Sequence, residues 1–482
     1  MRNKSKGRAA LAVAVVLLAM GSAGDARGQQ TSLTDAYRAT ADKIIAAAMQ
    51  DKGGWDKLNY LTTQIGNRLA GSATLERAVR WAAETMRGEK LDNVRVQAVK
   101  VPHWVRGREY AQVVAPVEKP MAMLGLGMSV GTPAKGITAP VVVVTTFEEL
   151  EALGRDKVAG RIVLFDMPWQ GYGRTVRFRS SGHMRAAKLG AVAVLIRSVT
   201  GRSLYTPHTG AMDVKAGEPT VPAAAITVED AAWIHRMVDA GKEVRVKLYM
   251  EAKMLPDADS ANVMGEITGS EKPDEVVVMG GHIDSWDVGQ GAEDDGSGII
   301  SAWQAVTLLR QLGLRPRRTL RVVLWVNEEN GGRGGEAYRA MVGAEIGKHV
   351  AGIEMDGGSE KPSGFGFSIV NMDRNANDPR YQAALAKVQQ IGKLLEGIGA
   401  GEVTPGGGGS DIGPLMRDGM PGLGLRTAGE HYFDYHHTNA DTLDKVDPQN
   451  VRKAVAMLAV MGYVLADMPE RLVEAAPAPN PR

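Results

Sequence analysis

The most constraining feature of this sequence is an alternation of short apolar runs and helical segments between residues 256 and 467. The segments 296–312, 380–398 and 449–467 have the apolar spacing of helices. Nearly continuous apolar strands that alternate with helices are typical of a mostly parallel sheet covered by helices on both faces. The pattern therefore predicts an α/β fold here, with strands at DEVVVMGG, RTLRVVLWVN, HVAGIEMD and MPGLGLRTAG.

Residues 113–252 have a different pattern of apolar and polar residues from this region. Short β-rich runs such as APVVVVTT and GRIVLFDM alternate there with helical pieces such as SSGHMRAAKLG. The pattern predicts a compact α+β unit that lies within the chain and separates residues 29–112 from residues 253–468. Residues 469–482 end in the proline-rich stretch EAAPAPNPR, for which we expect a disordered tail.

Residues 1–28 have the organisation of a secretory signal peptide. A positively charged amino-terminal region precedes the apolar run AALAVAVVLLAMG, and small residues follow at Ala26 and Gly28. The run is too short for a convincing transmembrane helix, although an uncleaved membrane anchor is the alternative. We therefore expect an exported protein, periplasmic or secreted, that has no stable association with a membrane.

The absence of cysteine narrows the chemistry that this chain can perform. A thiol nucleophile and thiolate metal ligands are excluded, so His, Asp and Glu would have to hold any metal. The formal net charge is only +2, which gives no electrostatic reason to expect a nucleic-acid partner.

Acids and histidines follow each of the four predicted strands. In open α/β sheets, functional residues gather at the carboxyl ends of the strands. Any one of these acids could instead be a helix cap or a turn residue. Their recurrence at four strand ends would place several anions in one crevice. These anions would repel one another unless a cation neutralised them. The residues are His282 and Asp284, then Glu328 and Glu329, then Asp356, and finally His431, His436 and His437.

The residue types in this set favour a metal site. Histidine with carboxylates, and without cysteine, suits zinc or another divalent transition ion, and two metals would explain the number of acids. A calcium-binding loop is an alternative for GHIDSWDVGQGAEDDGSG, but its acids lack the required spacing. A solvated turn would explain Asp287 but not the other strand ends.

Five motifs carry a resemblance to a known family. In chain order they resemble those of the co-catalytic zinc exopeptidases of the aminopeptidase and glutamate carboxypeptidase type. The resemblance covers essentially the whole mature chain, and it implies one mostly parallel-sheet catalytic domain built from residues 29–112 and 253–468. Residues 113–252 resemble the α+β protease-associated domain that is inserted in many of these enzymes. The motifs are GHIDSWDVGQGAEDDGSG, LWVNEENGG, EMDGG, GGSDIGP and YHHTNADT.

The resemblance implies a role for each residue of the site. It implies two zinc ions per chain, of which one is bound by His282 and Asp356 and the other by Glu329 and His437. Asp294 would bridge both ions. The choice of His437, rather than the neighbouring histidine, follows the family pattern His-Thr-x-x-Asp-Thr.

Further roles concern catalysis and substrate. Glu328 would be the general base, and Asp284 would orient the imidazole of His282. We expect Asp295 to be structural, as a cap of the helix that starts at Gly296. Ser410 and Asp411 lie in a glycine-rich loop and are candidate substrate contacts, as is His208, for which a satisfied surface position is the alternative.

The implied function is that of an exported zinc-dependent exopeptidase, whose partner is a peptide substrate. The resemblance favours dipeptides with free termini and a homodimer. An aminopeptidase for longer peptides and a glutaminyl cyclase, which should need only one metal, are the alternatives with the same fold. A non-catalytic, receptor-like protein would be expected to lack metal ligands, and every ligand position here is filled by a competent residue type.

Overall fold

The computed structural model describes residues 32–202, 204–370, 372 and 377–474. The expected signal peptide, at residues 1–28, lies outside the described residues, as do residues 475–482 of the tail expected at 469–482. The described part of that tail, residues 469–474, packs on the domain, with Leu472 buried in its hydrophobic core. Within the described ranges, no helix is both long enough and apolar enough to cross a membrane.

The strands belong to two sheets. In chain order they are β1 (Asp92–Val105), β2 (Glu109–Ala115), β3 (Lys119–Met121), β4 (Met123–Gly125), β5 (Ile137–Val144), β6 (Ile162–Phe165), β7 (Ala193–Arg197), β8 (Ala223–Ile226), β9 (Arg245–Met250), β10 (Lys253–Ile267), β11 (Lys272–His282), β12 (Arg318–Trp325), β13 (His349–Glu354), β14 (Gly364–Ser368), β15 (Glu402–Pro405) and β16 (Gly422–Arg426).

The helices surround these sheets. In chain order they are α1 (Leu33–Ala48), α2 (Gly53–Tyr60), α3 (Ala73–Gly88), α4 (Phe147–Val158), α5 (Tyr172–Lys188), α6 (Val228–Asp239), α7 (Ser297–Gln311), α8 (Arg333–Val342), α9 (Pro379–Gly392), α10 (Gly413–Arg417), α11 (Tyr432–Tyr435) and α12 (Pro448–Asp467).

The first sheet has the spatial order β1-β10-β12-β11-β13-β16-β14-β15. Strands β12, β11, β13 and β16 run parallel in its centre, as do β14 and β15 beside them. The β1–β10, β10–β12 and β14–β16 pairs are antiparallel. The predicted α/β fold is confirmed, and the parallel pairing is concentrated in the strands whose ends carry the acids and histidines.

Helices cover both faces of the central strands. On one face, Val277 and Met279 of β11 share a hydrophobic cluster with residues of α7 and α12. On the other face, Val276 and Val278 pack in a cluster with Tyr338 of α8. Because side chains alternate between the two faces of a strand, burial on both faces requires an unbroken apolar run.

The predicted helices occur with small differences at their ends. The helix predicted over 296–312 is α7, and the one predicted over 449–467 is α12. The segment predicted as one helix over 380–398 is α-helical only as far as Gly392 and continues as a 3-10 helix, Lys393–Ile398.

The second sheet is built entirely from strands between Glu109 and Met250, with the order β3-β2-β9-β5-β6-β7-β8-β4. Strands β5 to β8 run parallel in its centre, and helices α4, α5 and α6 lie in the same stretch of chain. We call the stretch 109–250 the inserted unit. Its first strand begins four residues before the predicted boundary at 113, and its assignment as a protease-associated domain stays a prediction.

Candidate metal centre

The predicted metal ligands meet at one edge of the first sheet. His282 is the last residue of β11, Glu329 follows β12, and Asp356 follows β13. His437 lies beyond β16, two residues after the end of the short helix α11. Asp294 lies in an irregular turn, Ala292–Gly296, that leads into α7. Because β11, β12, β13 and β16 are parallel, their carboxyl ends bring these side chains together.

Asp294 lies between two groups of candidate ligands. Nε2 of His282 is 3.2 Å from Oδ1 of Asp294 and 3.5 Å from Oδ1 of Asp356. Nε2 of His437 is 3.1 Å from Oδ2 of Asp294 and 3.0 Å from Oε2 of Glu329. The two oxygens of one carboxylate therefore face different ligand sets, as a ligand shared by two cations must.

Buried polar atoms at this edge are suited to a metal. Nε2 of His282 and Oε1 of Glu329 are buried and make no hydrogen bond to protein. Almost every buried polar atom in a protein has a binding partner, and a bound ion can be that partner. Imidazole nitrogens and carboxylate oxygens, without sulfur, form a donor set that zinc accepts. The residues present thus fit zinc in each half of the centre.

The electrostatics of the site also favour a cation. Burial, with the negative charge of Asp356 nearby, raises the pKa of Glu328 to about 8. Burial, with the charge of Asp294, raises the pKa of Glu329 to about 7. Cations bound between these groups would stabilise their ionised forms and lower both pKa values.

Asp284 contacts the imidazole of His282, as expected, but does so through its backbone carbonyl. Nδ1 of His282 donates to the backbone carbonyl of Asp284 at 3.0 Å, whereas the carboxylate of Asp284 lies 3.8 Å from Nδ1. That carboxylate instead accepts the backbone N–H groups of Glu328 at 3.1 Å and Glu329 at 3.3 Å. The carbonyl directs Nε2 of His282 toward Asp294, and the carboxylate positions the two glutamates.

The expected capping role of Asp295 is wrong. The cap position of α7 is Gly296, and no side chain bonds to the helix N-terminus there. Oδ2 of Asp295 instead accepts the backbone N–H of His282 at 3.1 Å. The carboxylate turns toward β11 because Asp294 and Asp295 have non-helical backbone angles, so the chain enters α7 through an irregular turn rather than through an extended cap residue.

Two adjacent histidines compete for one ligand position. Nε2 of His436 lies 3.6 Å from Oδ2 of Asp294, and the two imidazole rings stack with centroids 3.6 Å apart. Only His437 is in contact with both Asp294 and Glu329. This geometry favours His437 as the ligand.

We expect His437→Ala to lose one bound zinc ion per chain and His436→Ala to keep both. The reason is that only the imidazole of His437 faces two carboxylates of the centre. Metal analysis by mass spectrometry after dialysis measures the difference. Loss of zinc from His436→Ala, with full retention in His437→Ala, would reverse the assignment.

Two further buried residues shape the site, and their roles were not predicted from the sequence. Asp441 is buried, and its carboxylate accepts the backbone N–H groups of Ala292, Glu293 and Asp294 at 3.0, 2.8 and 3.3 Å. It thereby shapes the turn that presents Asp294. The signal that could have found Asp441 is its place in the HTNADT motif.

Arg68 is the other unassigned residue. Its fully buried guanidinium donates to backbone carbonyls at both ends of the loop between His282 and Asp294. The acceptors are Ile283 at 2.8 Å, Gln290 at 2.8 Å and Gly291 at 3.0 Å, in addition to Gly66 at 2.9 Å. No local pattern around residue 68 indicates this contact.

The three candidate substrate contacts lie in different surroundings. Ser410 is exposed, whereas Asp411 is buried and its pKa is raised well above the usual value by burial and by the charge of Glu354. His208 reaches across from the inserted unit but is buried, and its Nδ1 lies 2.8 Å from the backbone carbonyl of His436. The surface position considered for His208 is therefore wrong, and we assign it no substrate contact.

Comparison with known proteins finds relatives over nearly the whole chain. The profile of peptidase family M28 matches residues 262–461, a range that includes every candidate metal ligand. The chain is 43% identical over 439 residues to carboxypeptidase Q of Bos taurus, and the alignment covers 90% of this chain and 90% of that protein.

Solved structures agree with this match. A peptidase M28 precursor from Shewanella amazonensis superposes with a TM-score of 0.86 at 34% identity, covering 93% of this chain and 100% of that one. A zinc aminopeptidase from Bacillus subtilis superposes with a TM-score of 0.63 at 20% identity, covering 88% and 97%. At that lower identity, the likeness shows a shared fold alone.

Proposed function

We propose, from the premise that this chain belongs to peptidase family M28 and is a metallopeptidase, that it is an exported zinc exopeptidase acting on dipeptides or on terminal bonds of short peptides. Asp294 carries the proposal, because its two carboxylate oxygens face His282 at 3.2 Å and His437 at 3.1 Å. His282 and Asp356 would hold one zinc ion, and Glu329 and His437 the other. Asp294 would be shared by both ions.

The residues around this centre suit hydrolysis of a peptide bond. Bound zinc would polarise the carbonyl of that bond and lower the pKa of a water molecule. Glu328 would accept the proton of the water and return it to the leaving amine. Burial by itself raises the pKa of Glu328, and bound zinc would lower it, so the ionised carboxylate would be available to accept the proton near neutral pH. Asp284 would hold Glu328 in place through the hydrogen bond to its backbone N–H.

The names of the relatives support the exopeptidase part of the proposal. One relative is called a carboxypeptidase, and a solved structure with the same fold is called a zinc aminopeptidase. We infer cleavage at a chain end from the carboxypeptidase relative, and zinc as the metal from the donor set. The donor set of two imidazoles and three carboxylates is compatible with that metal.

Hydrolysis of a peptide panel tests the function. We expect release of both amino acids from free dipeptides and slower cleavage when either terminus is blocked. Stepwise release from the amino end of long peptides would instead favour an aminopeptidase. Cyclisation of amino-terminal glutamine by a protein with one bound metal would favour a glutaminyl cyclase. No cleavage of any peptide by the zinc-loaded protein would contradict the proposal.

Removal of metal should abolish the activity and reduce thermal stability. A chelator is expected to lower kcat/KM at least about 10³-fold, because several kcal/mol of transition-state stabilisation depend on the ions. The midpoint of thermal unfolding should also fall, since a ligand that binds the folded state stabilises it. Zinc added back should restore both quantities. An activity that persists in chelator after complete loss of zinc would argue against a metallohydrolase.

Export is proposed from residues 1–28. Expression of the full chain, followed by amino-terminal sequencing of the protein outside the cytoplasm, should find a start near Gln29. A full-length chain retained in the membrane fraction would instead favour the uncleaved anchor. The homodimer stays a prediction, which light scattering of the purified protein tests.

A further inference from the structure

The segment that carries His437 is held in place by the inserted unit. Nδ1 of His437 lies 3.3 Å from the carbonyl oxygen of Thr209, and the backbone N–H of Thr209 donates to the carbonyl of His437 at 3.0 Å. One residue earlier along both segments, Nδ1 of His208 lies 2.8 Å from the carbonyl oxygen of His436. Residues 208–209 thus contact both the backbone and the imidazole of the candidate ligand.

Arg179, on helix α5 of the inserted unit, reinforces this contact. Its Nη1 donates to the carbonyl of Thr209 at 3.3 Å, and its Nη2 donates to the hydroxyl of Tyr172 at 2.9 Å. The same Nη1 lies 3.4 Å from Nδ1 of His437. The Thr209 carbonyl therefore receives donors from both side chains, which limits rotation of the imidazole.

The backbone of His437 needs such support. Its φ is 61°, in the left-handed region that residues with a side chain rarely adopt. A conformation of this kind persists only where surrounding contacts enforce it.

Packing around α11 extends the same contact. The hydroxyl of Thr200 donates to the carbonyl of Phe433 at 2.6 Å. The ring of Phe433 also lies 5.1 Å from the rings of Trp169 and Tyr172, measured between centroids. The inserted unit is thus docked on the segment that leads directly to His437.

We propose that the inserted unit completes the half of the metal centre formed by Glu329 and His437, with residues 208–209 orienting the imidazole that binds zinc. A histidine that binds a metal through one ring nitrogen is oriented by the hydrogen bond of the other nitrogen. His282 obtains that partner from Asp284, two residues away, whereas His437 obtains it from Thr209 in the inserted unit. This inference rests on the proposed function, because it presupposes two zinc sites.

His208→Ala in the full chain tests the proposal. The zinc ion at Glu329 and His437 is expected to bind about 10- to 100-fold more weakly, and the other ion unchanged, in titrations against a competing chelator. His208→Asn should restore much of the affinity, since its side-chain amide can donate near the position of Nδ1. The absorption spectrum of the cobalt-substituted protein should change for one of the two ions only.

His183→Ala is the matched control. His183 is also a buried histidine of the inserted unit, but its ring nitrogens contact Thr220 at 2.9 Å and the carbonyl of Asp213 at 3.0 Å. We expect it to lose stability and to keep both zinc affinities. A second variant, Tyr172→Phe, removes only the hydroxyl that holds Arg179 and preserves the packing, so it should weaken the same ion even where His208→Ala does not fold.

The possible results distinguish a failure of the role given to the inserted unit from a failure of the proposed function. Unchanged affinity for both ions in His208→Ala, or in Tyr172→Phe where His208→Ala does not fold, would overturn the role of the inserted unit and leave the proposed function intact. Equal weakening in His183→Ala would overturn it as well, because the effect would then be one of general stability. A wild-type protein that binds fewer than two zinc ions would overturn the proposed function itself.

Discussion

Glu328→Gln is expected to lower kcat about 10²- to 10⁴-fold while both zinc ions remain bound, which is the range for loss of a general acid–base group. The amide keeps the shape of the side chain and cannot accept and return a proton. The backbone N–H of Glu328, which donates to Asp284 at 3.1 Å, is unaffected by the substitution. KM should therefore change much less than kcat.

Steady-state kinetics with a dipeptide substrate, together with zinc analysis, measure this effect. Glu336→Gln is the matched control, because it makes the same substitution at an exposed position of α8, where the carboxylate pairs with Arg417. The control should have wild-type kinetics. If Glu328→Gln turns over as fast as the wild type, Glu328 is not the proton carrier and the mechanism proposed above is wrong.

Asp294→Asn is expected to reduce bound zinc from two ions per chain to fewer than one, and to lower kcat/KM at least about 10³-fold. An amide offers one oxygen where the carboxylate offers two, and it carries no charge. Oδ1 faces His282 and Oδ2 faces His437, so the substitution affects both halves of the centre. His437→Ala, by contrast, removes a ligand from one half of the centre only, so it should lose only one ion.

Zinc content and the thermal response to zinc measure the effect of Asp294→Asn. Added zinc should raise the unfolding midpoint of the wild type and leave that of the variant unchanged. Asp287→Asn is the control, because Asp287 lies in the same loop, and its carboxylate pairs with Arg106 at 2.6 Å rather than with a candidate ligand. Retention of two ions by Asp294→Asn would exclude a shared carboxylate at this position.

Local patterns were sufficient to predict much of the fold. The apolar run at 274–281 lies within β11, and the helix predicted over 296–312 is observed as α7, Ser297–Gln311. Such elements are predictable because the period of apolar residues is a property of neighbours in the chain. The 3-10 end of the segment 380–398 was not predictable, since the same apolar spacing is compatible with either helix type.

The roles of individual side chains were less accessible to sequence reasoning. Asp295 was expected to cap a helix and instead accepts a hydrogen bond from His282. Asp284 was expected to orient His282, and its backbone carbonyl, rather than its carboxylate, makes that contact. In both cases the residue is correctly placed near the centre, but the path of the backbone decides which atom points where. The role of Arg68 could not be predicted at all, because three of its four acceptors lie more than 200 residues away.

The sequence by itself determined which donor atoms are available and that they follow successive strands. Parallel strands place their carboxyl ends at one edge, so a set of acids and histidines there could be inferred without coordinates. The resemblance already implied that Asp294 bridges both ions. Only the tertiary structure decided which of its oxygens faces His282 and which faces His437, and that His437 takes its second partner from Thr209. Hydrogen-bond and ligand directions are set by backbone segments that meet in space but lie far apart in the chain.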